Sequence, residues 1–249
     1  MPLPNLLITG CQKSGTTWLH HTLKKSPQFY GSRPKELNFF NRSSCKKRIA
    51  EYAGHFPETN GVRYYFESTP HYYRLPDGDV DIACNIYEIL GKPKLIVLFR
   101  NPVDRYESAY RHHMMAGRIS RTPEITDITN DFKMLELGMY ASITEHWLSI
   151  FSVMHFHLYD ELADKRSLCQ HIFEQLGVDY DLSDDSLEFV VNESETKASR
   201  LGWDELPRLS RDARNVLIDH YTAEIERLGR ILKRDLSNWL SGAAVETDR

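Results

Sequence analysis

A strand, a glycine turn and a helix start follow one another within the first twenty residues of this chain. The segment reads LLITGCQKSGTTWL and covers residues 6–19. Its apolar start predicts a buried strand over residues 5–9, and Leu19 and Leu23, one turn apart, predict a helix over residues 16–25. Such a turn aims backbone N–H groups and the positive end of the helix dipole at an anion. The segment therefore predicts an anion-binding loop.

The loop differs from a nucleotide-triphosphate P-loop, which reads GxxxxGK[ST]. Gly10 and Gly15 have that spacing, but Thr16 stands where the motif has its lysine, and the lysine of this loop is Lys13. A second apolar run, KLIVLF over residues 94–99, predicts a central parallel strand and ends in Arg100. ATPases hold magnesium with an acidic residue near such a strand, whereas a guanidinium binds phosphate directly. The two segments predict a cation-rich anion site without a metal.

Strand and helix patterns alternate along the rest of the chain. Further strands are predicted at residues 64–67 and 154–159, and further helices from Pro102 onward and over residues 82–90, 138–151, 160–176 and 211–232. This alternation predicts an α/β fold with a central parallel sheet flanked by helices. We expect the chain to form one domain over residues 1–249.

Composition limits what else the chain could bind. Lys and Arg number 31 against 35 Asp and Glu, a formal net charge of −4, so no global charge draws it to nucleic acid or an anionic membrane. The longest purely apolar run, residues 95–99, is far too short for an integral membrane segment, and the N-terminus lacks a basic leader. The four cysteines form no CxxC pair. We expect a cytoplasmic protein without a metal site, and its oligomeric state stays open.

Two segments resemble the sulfotransferases that use 3′-phosphoadenosine 5′-phosphosulfate (PAPS). KSGTTW, residues 13–18, resembles their 5′-phosphosulfate loop, and RNPVDRYES, residues 100–108, resembles their 3′-phosphate motif. RPKELNFF, residues 33–40, and FESTPHYY, residues 66–73, resemble segments of the glycan sulfotransferase branch and of bacterial relatives. The resemblance implies a P-loop-like sulfotransferase fold with one parallel sheet.

The resemblance also implies a reaction and a set of donor-binding residues. A sulfuryl group would pass from PAPS to an acceptor hydroxyl, leaving 3′,5′-ADP, and no metal would be required. Arg100 and Ser108 would hold the 3′-phosphate, with Arg200 as a candidate from a looser match. Trp18 matches a tryptophan that lies against the adenine, and the alternative is a core tryptophan on the first helix. The residues that would hold the 5′-phosphosulfate are Lys13, Ser14, Gly15, Thr16 and Thr17.

The acceptor must lose a proton, and two residues are candidate general bases. Glu36 matches the catalytic glutamate of the glycan branch, and its alternative reading is a structural ion pair with Lys35. His71 is the rival base, but it falls one residue away from the histidine of the cytosolic branch, so Glu36 is preferred. Lys13 is expected to stabilise the leaving oxygen electrostatically. Ser68 stands where the glycan branch often has a second lysine, and Lys35 is the candidate substitute.

Several alternatives remain at this stage. The acceptor is expected to be a carbohydrate or glycoconjugate, with a lipid, polyketide or other small-molecule hydroxyl as the alternative. A magnesium-dependent P-loop nucleotide kinase and a non-catalytic nucleotide-binding module are the other functions considered. Arg111 and Arg118, near the 3′-phosphate motif, predict a solvated face, or else an attraction for an anionic acceptor.

Overall fold

Seven strands form two parallel sheets in the computed structural model, which describes residues 1–189 and 194–241. The larger sheet has the order β2-β3-β1-β4-β6, and β5 pairs with β7. All pairings between these strands are parallel. The strands are Leu6–Gly10 (β1), Phe29–Gly31 (β2), Tyr64–Ser68 (β3), Lys94–Phe99 (β4), Glu124–Ile125 (β5), His155–Leu158 (β6) and Arg208–Leu209 (β7). The predicted α/β fold with a central parallel sheet is confirmed.

Eight α-helices accompany these strands within the described residues. They are Thr16–Leu23 (α1), Ile49–Ala53 (α2), Ile82–Leu90 (α3), Pro102–Met115 (α4), Tyr140–Ile150 (α5), Lys165–Leu176 (α6), Ser194–Arg200 (α7) and Arg211–Leu232 (α8). The sequence patterns predicted α3 and α8 with these bounds, whereas the predicted helix over residues 160–176 starts as a 3-10 turn before α6. The patterns missed β2, β5, β7, α2 and α7, because elements of two to seven residues are too short to show a period.

The chain divides into two compact units. The first holds the described residues of Met1–Phe99 and Glu145–Val191, and the second those of Arg100–Thr144 and Asn192–Arg249. The whole five-stranded sheet lies in the first unit, while α4, α8 and the β5–β7 pair lie in the second. The single domain expected over residues 1–249 stays a prediction.

Strand β1 forms the centre of the first unit, and all five of its residues are buried. Side chains alternate between the two faces of a strand, so Leu6 and Ile8 share one face, where α1 and α6 pack in a single apolar cluster. On the other face, the ring of Tyr73 lies 5.8 Å from that of Phe99 and 5.3 Å from that of Trp147. Helices therefore cover both faces of the sheet, as a parallel sheet requires.

The strand order determines where this sheet can bind a ligand. The strands β3 and β2 lie on one side of β1, and β4 and β6 lie on the other. In open parallel sheets, ligands bind outside the carboxyl ends of the strands where the order reverses. The segments that follow β1, β2 and β3 contain Lys13, Glu36 and His71, respectively. Three residues far apart in the sequence thus follow neighbouring strands at one edge.

The described residues contain neither a candidate membrane-spanning helix nor a candidate metal cluster. None of the helices in residues 1–189 and 194–241 combines the length and apolar character that crossing a bilayer requires. In the same residues, no group of three or more His, Cys, Asp or Glu side chains is arranged to hold a metal ion.

Candidate active site

The loop between β1 and α1 has the backbone of an anion-binding turn. Lys13 and Gly15 have φ values of 65° and 84°, and left-handed residues inside a turn direct successive N–H groups to one side. A Cβ on Gly15 would lie 2.7 Å from Leu162 Cδ1, and one on Gly10 would lie 2.4 Å from Tyr73 Cβ. Gly10 is therefore required sterically, because Tyr73 Cβ lies next to its own backbone and cannot move aside. Gly15 is required for its left-handed conformation, since the leucine methyl group beside it could move.

Several polar atoms of this loop are buried without a partner. Ser14 and Thr16 are buried, and Thr17 is half-buried. Among the residues that the structure describes, the hydroxyl of Ser14, the hydroxyl of Thr9 and Oε1 of Gln12 have no hydrogen-bond partner. Buried polar atoms without partners are uncommon in folded proteins and indicate a ligand, an ion or an ordered water. Two of them in the loop, on Gln12 and Ser14, and one near the end of β1, on Thr9, indicate a binding site for a polar group.

Trp18 lies in the apolar cluster of the first unit. Its side chain is 7% exposed, its indole Nε1 donates to the carbonyl of Leu187 at 3.4 Å, and its ring stacks on that of Phe189 with centroids 6.2 Å apart. This position agrees with the alternative in which Trp18 is a core residue of the first helix. A contact between Trp18 and an adenine ring stays a prediction.

His71 is tied to the loop by one hydrogen bond. Nε2 of Gln12 lies 3.0 Å from Nε2 of His71, and the amide nitrogen can only donate. Nε2 of the ring is thus engaged by the loop. The choice between Glu36 and His71 as the general base stays a prediction.

Glu36 pairs with the neighbouring lysine. Its Oε1 lies 2.9 Å from Nζ of Lys35, and the two side chains are 40% and 15% exposed, respectively. Burial lowers the pKa of Lys35, and the nearby carboxylates of Glu36 and Glu67 oppose that shift. The ion pair that was the structural alternative is present.

Glu67, at the end of β3, is the main residue that the sequence patterns did not assign. It is fully buried, and its two oxygens accept four hydrogen bonds. The donors are Tyr52 OH at 2.6 Å, Tyr72 OH at 2.9 Å, Thr69 OH at 2.7 Å and the amide of Leu37 at 3.2 Å. Burial raises the pKa of Glu67, although these hydrogen bonds act in the opposite direction. The sequence did contain a signal for its importance, since a charged residue stands inside an otherwise largely apolar strand.

His20 is a second unassigned residue at this edge of the sheet. Its Nδ1 lies 2.8 Å from the hydroxyl of Ser68. Burial and the nearby charges of Lys35 and Lys24 lower the pKa of His20 to about 3, so the ring is neutral at physiological pH. Ser68, the residue that replaces a lysine of the glycan branch, is thus hydrogen-bonded to a neutral histidine.

The segment that resembles a 3′-phosphate motif begins a helix of the second unit. Oδ1 of Asn101 accepts from the amide of Val103 at 2.9 Å and caps α4, and Pro102 suits its first position. Arg100 precedes this cap, and Ser108 lies about two turns into the helix, half-buried. The third candidate, Arg200, is exposed and is the last residue of α7.

Arg111 does not lie on a solvated face, so that expectation is wrong for this residue. It is buried, pairs with Glu107 one turn earlier in α4, and donates from Nε to the carbonyl of Pro207 at 2.7 Å. Glu107 lies on the buried side of α4. The number of charged residues in a sequence does not show which of them are buried as pairs. Arg118 is exposed, as expected.

Comparison with known proteins determines the family. The family model described as Sulfotransferase domain matches residues 3–202. The chain belongs to the sulfotransferase family. The resemblance that the two segments indicated is therefore confirmed, and both segments, residues 13–18 and 100–108, lie within the matched range.

Curated relatives match different shares of this sulfotransferase chain. A membrane-associated sulfotransferase, kil1, of Dictyostelium discoideum is 33% identical over 126 residues, which are 49% of this chain and 26% of that protein. The human bifunctional heparan sulfate N-deacetylase/N-sulfotransferase 3 is 26% identical over 96% of this chain and 31% of its own length. The human heparan sulfate glucosamine 3-O-sulfotransferase 6 is 30% identical over 61% of this chain and 45% of its own length. The chain thus spans less than half of each relative.

Solved structures share the fold. A sulfotransferase from Alicyclobacillus acidocaldarius aligns with a TM-score of 0.74 and 22% identity, over 97% of this chain and 100% of the other. The sulfotransferase domain of the curacin biosynthetic pathway aligns with a TM-score of 0.52 and 15% identity, over 83% of this chain and 99% of that domain. The predicted sulfotransferase fold is confirmed.

Proposed function

We propose that this protein transfers a sulfuryl group from PAPS to a hydroxyl group of a carbohydrate acceptor. The observation that carries the proposal is the loop at residues 11–15, where a left-handed Lys13 and the buried hydroxyl of Ser14, which lacks a partner among the described residues, surround the start of α1. Such a loop suits the charged oxygens of a phosphosulfate.

The loop residues would bind the 5′-phosphosulfate of the donor, which supplies the sulfuryl group when it is bound. Ser14, Thr16 and Thr17 would donate from their hydroxyls, and Gly15 lets the backbone approach closely. Lys13 would stabilise the charge that develops on the leaving oxygen, an electrostatic effect worth about 3 kcal/mol for one well-placed donor. Arg100, Ser108 and Arg200 are proposed for the 3′-phosphate by their match to the family motifs.

Glu36 would take the proton of the acceptor hydroxyl. Its carboxylate is partly exposed, so an acceptor can reach it, and Lys35 at 2.9 Å restricts its position. The hydrogen bond between Gln12 and His71 engages the rival base. A general base of this kind contributes about 10²- to 10⁴-fold to the rate.

The acceptor class rests on the relatives. Two of them are named for heparan sulfate, one as an N-sulfotransferase and one as a 3-O-sulfotransferase. We therefore propose a glycan acceptor, with a small-molecule hydroxyl as the alternative. The absence of nucleic acid among the partners and the cytoplasmic location stay predictions from composition.

The donor assignment is tested by thermal unfolding with 3′,5′-ADP, with ATP and magnesium, and with AMP. A ligand at 100 times its Kd stabilises the folded state by about 2.7 kcal/mol. We expect 3′,5′-ADP to raise Tm selectively, with or without EDTA, and the Lys13→Ala variant to lose most of the rise. A larger rise with ATP and magnesium would instead support a nucleotide kinase.

The base is tested by transfer of radiolabelled sulfate from PAPS to heparosan polysaccharide. Glu36→Gln is expected to slow turnover by about 100-fold or more while 3′,5′-ADP binding is retained, because only proton removal is lost. The matched control is Glu58→Gln, which makes the same chemical change at an exposed residue. Equal turnover in the two variants would remove Glu36 from the mechanism. Binding of 3′,5′-ADP by the wild-type protein without transfer to either heparosan or small-molecule hydroxyls would indicate a non-catalytic module.

A further inference from the structure

The backbone that follows Glu36 is held by side chains. Residues 36–39 belong to no helix or strand, and residue 40 begins a turn. Four consecutive amides nevertheless donate hydrogen bonds to side chains of residues 67–72. The amide of Leu37 donates to Glu67 Oε2 at 3.2 Å, Asn38 to Thr69 Oγ1 at 3.4 Å, Phe39 to Tyr72 OH at 2.8 Å and Phe40 to Tyr72 OH at 3.4 Å.

The Tyr72 hydroxyl links the buried carboxylate to this segment. It accepts from the amide of Phe39, so its own proton is directed to Glu67 Oε1 at 2.9 Å. Glu67 in turn accepts directly from the amide of Leu37. Tyr72 and Glu67 are both fully buried, so water does not compete for these hydrogen bonds. The segment also contains Asn38 in a left-handed conformation, with φ of 51°, which side-chain support would help to maintain.

We propose that Glu67 and Tyr72 are positioning residues for the general base: they hold the backbone of residues 37–40 and thereby fix the direction of the Glu36 carboxylate toward the acceptor. The inference rests on the proposed function, in which Glu36 removes the acceptor proton. Displacements of about 1 Å at a reacting group can cost 10²-fold in rate, so a support of this kind has a measurable effect on turnover.

A neighbouring tyrosine provides a matched control. Tyr52 OH also donates to Glu67 Oε1, at 2.6 Å, and Tyr52 is as buried as Tyr72. Its ring stacks on that of Phe39 at 4.1 Å, a contact that phenylalanine would keep. Within the described part of the chain, the hydroxyl of Tyr52 donates to Glu67 and accepts from no amide of residues 37–40. Tyr52→Phe and Tyr72→Phe therefore each remove one hydroxyl donor from Glu67 Oε1. Only Tyr72→Phe also removes the acceptor of the Phe39 and Phe40 amides.

The test measures turnover and amide hydrogen exchange in both variants. We expect Tyr72→Phe to lower kcat with PAPS and heparosan polysaccharide by about 10- to 100-fold, to leave binding of 3′,5′-ADP within about twofold, and to speed exchange at the amides of residues 39 and 40. Tyr52→Phe is expected to lower Tm by about as much as Tyr72→Phe does, but to lower kcat by no more than about threefold. Equal kcat in the two variants, or wild-type exchange at residues 39 and 40 in Tyr72→Phe, would overturn the inference.

A double variant separates this inference from the proposed function. If Tyr72 acts through Glu36, Tyr72→Phe slows wild-type enzyme but causes no further loss in a Glu36→Gln background, because coupled residues are not additive. An additive loss would overturn the positioning role. Wild-type turnover in the Glu36→Gln variant would overturn the proposed base instead. If Glu36→Gln lowers kcat but Tyr72→Phe and Tyr52→Phe have equal kcat values, only the positioning role is overturned.

Discussion

Glu67 of the first unit and Glu107 of the second are both buried carboxylates, but different donors surround them. The donors to Glu67 are three hydroxyls and one amide, all of them neutral. Glu107 pairs with Arg111 and with Arg214, whose Nη2 lies 3.4 Å from Oε2, and accepts from the amide of Leu209 at 2.9 Å. The hydrogen-bond donors are thus neutral at Glu67 and mostly charged at Glu107.

The difference shows what each carboxylate does in its unit. Through Arg214 and Leu209, Glu107 joins α4 to α8 and to β7, so its ion pairs connect elements of regular structure. Glu67 instead supports residues 37–40, which have no regular structure and follow the proposed base. Hydrogen bonds depend strongly on angle, so several of them together specify the path of a backbone segment. The attraction between opposite charges depends mainly on distance, so it joins two elements with less restriction on their geometry.

The largest expected effect on stability is at Glu107. Glu107→Ala would leave the buried guanidinium of Arg111 without its carboxylate partner, and breaking a buried pair in this way costs about 3 to 5 kcal/mol. Urea unfolding of the variant measures that cost. Glu51→Ala is the matched control, since it breaks an exposed pair with Arg48 and is expected to cost at most about 1 kcal/mol. A similar cost in both variants would mean that burial does not distinguish the two pairs.

A smaller effect is expected from Glu67→Gln. The amide nitrogen of the glutamine would face neutral donors, and a buried polar group left unsatisfied costs about 1 to 3 kcal/mol. No charged hydrogen-bond donor loses its partner in this change, so at neutral pH the free energy of unfolding should fall less than in Glu107→Ala. Urea unfolding under the same conditions compares them directly, and a larger loss in Glu67→Gln would reverse the ranking of the two sites.

The smallest expected effect is the pH dependence of the stability difference between wild type and Glu67→Gln. Because the pKa of Glu67 is raised above its ordinary value of 4.5, the folded state holds this proton to higher pH than the unfolded state does. The resulting stabilisation is fully present below the unfolded pKa and is lost as pH rises through the folded pKa. The stability advantage of wild type over Glu67→Gln should therefore shrink as pH rises from below 4.5. Unfolding at several pH values checks this, and an advantage that grows with pH would mean a lowered pKa.

Much of the candidate site could be predicted because its signals are local. The glycine spacing around Lys13 and the Asn101-Pro102 helix start depend on neighbouring residues alone, and both form as the sequence indicated. The role of Glu67 could not be predicted in this way. Its hydrogen-bond donors come from residues 37, 52, 69 and 72, and no sequence period connects them.

The sequence by itself indicated the longer strands and helices, the glycine turn between β1 and α1, and the sulfotransferase family. The strands, the helices and the turn follow from apolar periodicity and turn residues, which act over a few residues. The family follows from the resemblance of residues 13–18 and 100–108 to its motifs. Only the tertiary structure decided that Arg111 is buried rather than solvated, that Gln12 engages His71, and that Glu67 supports the segment after Glu36. Burial and hydrogen bonding between distant segments depend on which residues the folded sheet brings together, and that information is not carried by any single segment.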